Sequence, residues 1–261
     1  MKTKTISFLK YNHSRAKVLF AFVSLFVVTG LTAAEPEFSE DFASYTAGET
    51  LQSQSPWDAS FTTGSGTNIV INKDSVSPEN CVALIAPSYA NEDSVSLRRF
   101  TNLILDGDIV FTTSVKLLSE AGEEGHGSGS IFFGGLDSTT GVQVVFNGAG
   151  KVFVVDRDRD AVQVGEYSLD KWYTLRLTVH IDPANGLNSQ FGIDIPELHI
   201  SEGGFFPKGD CTAIGGFIEL GAHGFSAEGL HGGNANNVEF RVDSISITRE
   251  VIKKEHTVKP K

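Results

Sequence analysis

The chain has 261 residues, with 21 basic against 32 acidic side chains and a net charge of −11 at neutral pH. A surface this acidic repels phosphate backbones and anionic bilayers, which excludes nucleic acid and anionic membranes as partners. Apolar residues make up 40% of the chain, enough to build a core, and 27 glycines with 19 phenylalanines point to a turn-rich β protein.

The first seventeen residues carry Lys2, Lys4, Lys10, Arg15 and Lys17 and no acid. An apolar run from Val18 to Leu31 follows, then Thr32, Ala33 and Ala34. A basic start, an apolar middle and a small-residue exit are the parts of a secretory signal peptide, expected here at 1–34. The run is short of the ~20 residues that a helix needs to cross a bilayer. A secreted or periplasmic protein is therefore expected, with no membrane span in its mature part. Without the five leader cations, sixteen basic residues face all thirty-two acids, so the mature part is more acidic still.

Beyond the leader, strand-like runs separated by turn residues are expected near 38–43, 58–62, 67–72, 81–86, 94–100, 108–118, 129–136, 141–147, 151–156, 161–167, 172–181, 190–195, 214–221 and 237–249. Asn147-Gly148-Ala149-Gly150 is a hairpin signal, because Asn and Gly tolerate positive φ. Two glycine-rich loops, 121–129 and 221–237, stand where binding residues often concentrate. No repeat or linker divides the chain, so one domain is expected over 35–249. The segment 250–261, with Lys253, Lys254, Lys259 and Lys261, reads as a basic, disordered tail.

The clearest strand runs from Trp172 to Asp182. Side chains alternate across a strand, so Tyr173, Leu175, Leu177, Val179 and Ile181 share a core face. Trp172, Thr174, Arg176, Thr178 and His180 share a polar one. In 214–221 and its continuation, Phe217, Glu219, Gly221 and His223 likewise share one parity.

These features resemble a known family. Glu40-Asp41-Phe42, then Gly48 and Trp57, then Trp172-Tyr173, and finally Val242-Asp243-Ser244-Ile245-Ser246-Ile247 are similar to the concanavalin A-like, laminin G-like jelly rolls of secreted bacterial proteins. The resemblance implies an all-β jelly-roll sandwich of two curved antiparallel sheets, one convex and one concave. Members range from lectins and carbohydrate-binding modules to polysaccharide hydrolases and lyases, so the fold does not name the function. Jelly rolls bring their termini together, and related sandwiches hold a structural calcium there. Asp41 and Asp243 are the expected ligands, as carboxylates suit hard Ca²⁺.

Retaining glycosidases of this fold place Glu-x-Asp-x-Glu on one strand. The nearest run here, Asp156, Asp158 and Asp160, falls where a turn is expected and is interleaved with Arg157 and Arg159, so it reads as a solvated charged hairpin. The Gln-Ile-His and Tyr-Lys-Gly-Tyr strands of alginate lyases do not occur; Arg176, His180, Glu219 and His223 are the nearest substitutes. For glycan binding, Trp172 offers an aromatic platform beside Arg176, with Tyr167 just upstream. If both strands lie in the concave sheet, Arg176, Glu219 and His223 should project into one groove. His126, His223 and His231 lack zinc-site spacing. Cys81 and Cys211, in an exported chain, are expected to form a disulfide, the alternative being two buried thiols.

The expected function is non-catalytic recognition of a glycan or surface through Trp172, Arg176, Glu219 and His223. The alternatives are a polysaccharide lyase or glycoside hydrolase working in the concave groove, and a structural or adhesive envelope protein.

Overall fold

The computed structural model describes residues 36–54, 56–73, 79–88, 93–119, 127–137, 139–223 and 236–250. The expected leader, the tail beyond Glu250, His126 and His231 lie outside them. Among the described residues are fifteen strands, three short 3-10 turns and no α-helix. No helix there is long and apolar enough to cross a membrane.

The strands are β1 (Phe38–Glu40), β2 (Asp58–Thr63), β3 (Thr67–Asn72), β4 (Asn80–Ser88), β5 (Ser94–Phe100), β6 (Gly107–Ser119), β7 (Ser128–Gly134), β8 (Gly141–Asn147), β9 (Lys151–Asp156), β10 (Asp160–Glu166), β11 (Tyr173–Ile181), β12 (Gln190–Ile195), β13 (Ile200–Phe205), β14 (Phe217–His223) and β15 (Asn236–Glu250). They form two sheets. Sheet A runs β13-β12-β11-β6-β15-β4-β3, and β1 also pairs with β15; sheet B runs β10-β9-β8-β7-β14-β5-β2. Every pairing is antiparallel. The chain is an all-β jelly-roll sandwich.

Alternation places the core between the sheets. On β11, Tyr173, Leu175, Leu177, Val179 and Ile181 are buried, while Arg176, Thr178 and His180 are exposed. Sheet B answers with Ile218, Leu220 and Ala222 of β14 and Ile131 and Phe133 of β7. Aromatic pairs cross the layer: Phe111 of sheet A meets Phe133 of sheet B at 5.2 Å between ring centroids, and Phe240 meets Phe146 at 6.2 Å. Such pairs bury large areas and fix how the sheets face each other. Trp57 is fully buried against Phe42, and its indole N–H donates to Glu40.

One strand, β13, had no counterpart in the sequence reading. It is short, carries Glu202-Gly203-Gly204, and lies at the edge of sheet A with four consecutive exposed residues, so no alternation marks it.

The expected disulfide is not formed; Cys81 and Cys211 are both free and buried. Val70 and Val82 pair on the core side of β3 and β4, so Cys81, paired with Ile71, faces outward from sheet A. Cys211 belongs to the inter-sheet core, and its thiol donates to the Ala213 carbonyl at 3.3 Å. The backbone of sheet A separates the two sides.

The Asp156–Asp160 turn is where it was expected, and Asp158, Arg159 and Asp160 are exposed as a solvated hairpin requires, but Asp156 is 1% exposed. Its carboxylate accepts from Arg159 at 2.9 Å, from the Phe206 N–H at 2.9 Å and from the Asp158 N–H at 3.0 Å. Arg159 and Arg157 lie over the Phe205 and Phe206 rings. The hairpin of β9 and β10 is thereby tied to the end of β13, joining the edge of sheet B to the edge of sheet A.

Two outcomes follow from these placements. Burial pushes the Cys81 thiol up to about 12 and the Cys211 thiol up to about 11. A thiol reagent should therefore find no reactive cysteine in the native protein and two after denaturation without reductant; a single disulfide found instead would contradict the fold. For Asp156, burial works against the carboxylate, but Arg159 and the two N–H groups outweigh it and hold its pKa below the ordinary 3.8. Its contribution is present above that value and is lost as pH falls through the lower folded value. Asp156→Ala should cost about 1–3 kcal/mol at neutral pH in chemical denaturation, and should flatten the acid limb of the stability profile below pH 3.8.

Candidate functional site

The sequence-predicted residues fall on two surfaces. Trp172 and Arg176 stand at the outer side of sheet A, and Glu219 and His223 at the outer side of sheet B. The apolar layer lies between, so the shared groove expected for Arg176, Glu219 and His223 does not exist. His180 also belongs to sheet A, where its Nδ1 meets Asp108 at 2.7 Å. Tyr167 is a core residue whose hydroxyl donates to the Asn147 carbonyl.

The outer side of sheet B can be read row by row from its register. One row brings Ser128 of β7, His223 of β14 and Ser94 of β5 side by side; the next holds Ser130, Gly221 and Ser96. The third holds Gln143, Phe132, Glu219, Arg98 and Asp58, and the fourth Gly134, Phe217 and Phe100. His223 Nδ1 lies 2.8 Å from Ser94 Oγ, and Nε2 lies 3.2 Å from Ser130 Oγ. The imidazole thus reaches back across its own strand, over Gly221. A Cβ on Gly221 would stand 2.6 Å from Nε2, so only glycine leaves the ring this position. The four serines are at most 6% exposed, which makes them a closed bed that fixes the ring.

Two residues along the same face, Arg98 grips Glu219, with Nε 2.9 Å from Oε2. The guanidinium carbon sits 4.3 Å over the Phe217 ring. Phe217 can lie flat because Gly134 opposite it has no side chain; a Cβ there would meet the ring at 2.2 Å. Phe132 packs beside Phe217 at 5.6 Å, and Phe100 at 6.5 Å is largely exposed. The result is a planar, charge-assisted hydrogen-bonding pair laid on aromatic rings, with a fixed imidazole at its far end.

Sequence reasoning missed Arg98, Ser94 and Ser130. All three share the parity of an alternating strand, Ser94-Val95-Ser96-Leu97-Arg98 and Ser128-Gly129-Ser130-Ile131, which was legible. Their adjacency to β14 comes from long-range pairing and was not.

On sheet A, Asp41 and Asp243 line one cavity of about 350 Å³ together with Lys73, Glu79 and Ser244. The Lys73 ammonium contacts Asp243 at 2.5 Å and Glu79 at 3.5 Å, and lies 5.4 Å over the Trp172 ring. A lysine therefore takes the place beside Asp243 that a calcium ion would need. Among the described residues no group of three acidic, histidine or cysteine side chains is placed to hold a metal. The donor set, as it stands, does not fit the ion.

No known sequence family matches the chain, and no curated protein matches it in sequence. Solved structures do resemble it. The carbohydrate esterase vb_24B_21 of Shiga toxin-encoding bacteriophage phi24B is 11% identical over 84% of this chain and all of that one, with a TM-score of 0.51. The alginate lyase Aly36B, in complex with an alginate tetrasaccharide, is 10% identical over 82% and 96%, also at 0.51. An endo-β-1,4-glucuronan lyase of the fungus Trichoderma reesei is 8% identical over 82% and 96%, at 0.48. At such identities the likeness shows the fold alone.

Removing Lys73 tests its role as a built-in cation. Burial opposes the ammonium, but Asp243 and Glu79 outweigh it and raise its pKa above 10.5. Its contribution is full below that value and is lost as pH climbs through the raised folded value. Lys73→Met leaves the 5% exposed Asp243 without its partner. It should lower stability at neutral pH by about 1–3 kcal/mol, under the cost of breaking a fully buried pair, and should change Trp172 fluorescence.

Proposed function

We propose that the protein recognises a glycan, without cleaving it, on the outer side of sheet B. The observation that carries this reading is the Arg98–Glu219 pair lying on Phe217 beside Phe132 and Phe100. Sugar rings have apolar C–H faces and equatorial hydroxyl pairs. The 63% exposed Phe100 ring suits the first, and the guanidinium–carboxylate pair, held in place by the buried Phe217 and Phe132 rings, supplies donors and acceptors to the second.

Binding is favoured over catalysis by the partners these side chains already hold. Glu219 is ion-paired to Arg98, and the serines that hold both nitrogens of His223 are at most 6% exposed, so neither a free carboxyl nor an accessible hydroxyl nucleophile is offered to a polymer. That two solved proteins of this shape are a carbohydrate esterase and an alginate lyase agrees with a carbohydrate ligand.

Affinity electrophoresis in gels containing laminarin, hydroxyethyl cellulose, galactomannan or alginate tests the proposal. The wild type should be retarded by at least one polymer, and Arg98→Ala should weaken that retention at least tenfold while remaining folded. Retention untouched by Arg98→Ala, or no retention by any polymer, would overturn the reading. Reducing ends or unsaturated uronates released by the wild type would replace it with the enzyme alternative.

A further inference from the structure

The outer side of sheet B extends beyond the Arg98–Glu219 pair to its edge strand, β2. Along β5, Asp58 stands opposite Arg98 and Ala59 opposite Leu97. Plain alternation would next set Ser60 opposite Ser96 and Phe61 opposite Val95, on the side of the fully buried Val95 and Leu97. A bulge intervenes. The register shifts between Ala59 and Phe61, so Phe61 stands opposite Ser96 and Thr62 opposite Val95. One extra residue thus moves the ring from the core parity to the outer one, where it is 49% exposed. The bulge breaks the ladder, and its product is a large apolar ring carried to solvent while a threonine takes the inward place. Bulges that re-aim a side chain in this way are over-represented next to active sites.

The register also fixes what Phe61 stands beside. Its row continues through Ser96 to Gly221, over which the His223 ring leans. The next row along β5 is that of Asp58, Arg98 and Glu219, and the one beyond holds Phe100 with Phe217. Phe61 and the 63% exposed Phe100 therefore flank the Arg98–Glu219 pair on one face. Successive rows are two residues of strand apart, and the whole Arg98 row lies between the two rings. A single sugar stacked on one of them does not reach the other.

We propose that this face takes the interior of a linear, neutral polysaccharide: one sugar on Phe100, one over Arg98 and Glu219, and one on Phe61. The inference rests on the reading of the Arg98–Glu219 pair as a glycan site. The two aromatic rings take the apolar faces of the outer sugars, and the ion pair serves the hydroxyls of the middle one. In register Arg98 lies between Asp58 and Glu219, and Lys208 stands beyond Glu219 over Phe132, so acids and bases on this row balance. No surplus of base is present to hold a polyuronate on a chain of net charge −11. A platform at each end selects a chain over a short fragment, because each further sugar adds contact without the cost of a new association.

Wild type, Phe61→Ala, Phe61→Trp and Arg98→Ala are compared by affinity electrophoresis in laminarin, hydroxyethyl cellulose, galactomannan and alginate. Titration calorimetry follows, with the di-, tri-, tetra- and hexasaccharides of the backbone that retards the wild type. Melting temperatures check folding, and truncating a half-exposed ring on an edge strand should leave them near the wild-type value. Wild-type affinity should rise at least tenfold from disaccharide to tetrasaccharide and then level off. Phe61→Ala should weaken polymer retention at least fivefold and remove most of that rise, whereas Phe61→Trp, which keeps a ring there, should retain both. Retention weakened by Arg98→Ala but equal to wild type in Phe61→Ala would overturn the extended site and leave the Arg98–Glu219 reading standing. Affinity already complete at the disaccharide, or retention of the wild type by alginate alone, would do the same. No retention by any of the four polymers would overturn both.

Discussion

One apolar layer, shared by two antiparallel sheets, dictates what every other part of this molecule can do. Because a strand alternates with a period of two, each strand that gives Leu, Ile, Val or Phe to the layer must give its intervening residues to the outside. Chemistry is thereby pushed onto two outer surfaces that cannot meet. Arg176 and Glu219 both alternate correctly and both face away from the core, yet the thickness of the sandwich stands between them. Parity decides inside from outside; membership of a sheet decides which outside.

This division explains what could be read from the residues and what could not. The β11 alternation, from Tyr173 to Ile181, appears in the structure residue for residue, and the hairpin at Asn147–Gly150 joins β8 to β9 as its turn chemistry requires. These are local properties. Sheet assignment is not, because β14 pairs with β5 and β7, more than eighty residues away, rather than with β11. β13 escaped because an edge strand of Ser, Glu and Gly has no apolar alternation to betray it. The Cys81–Cys211 expectation rested on compartment and parity of number, and neither says on which side of a sheet a thiol points.

A second regularity concerns charge. Acids outnumber bases, and the cations that do occur are repeatedly seated between acids or on aromatic rings. Lys73 sits between Asp243, Glu79 and Trp172, Arg98 between Glu219 and Phe217, and Arg159 between Asp156 and Phe205. Each arrangement neutralises an acid that is otherwise partly withdrawn from water. It also keeps the side chain extended in one rotamer, since ring and carboxylate hold it from two directions. The excess of acid then appears as a diffuse negative field, which selects against polyanions without specifying any one ligand.

The candidate surface on sheet B has a design that follows from building a site on strands instead of loops. A flat sheet face becomes selective only when some positions are emptied and others are fixed. Gly221 and Gly134 empty the positions that the His223 and Phe217 rings then cover, while Ser94 and Ser130 fix the imidazole from both sides. Those hydrogen bonds are made within the fold itself, so little side-chain freedom remains to be lost when a ligand arrives, and less of the binding free energy is consumed in ordering.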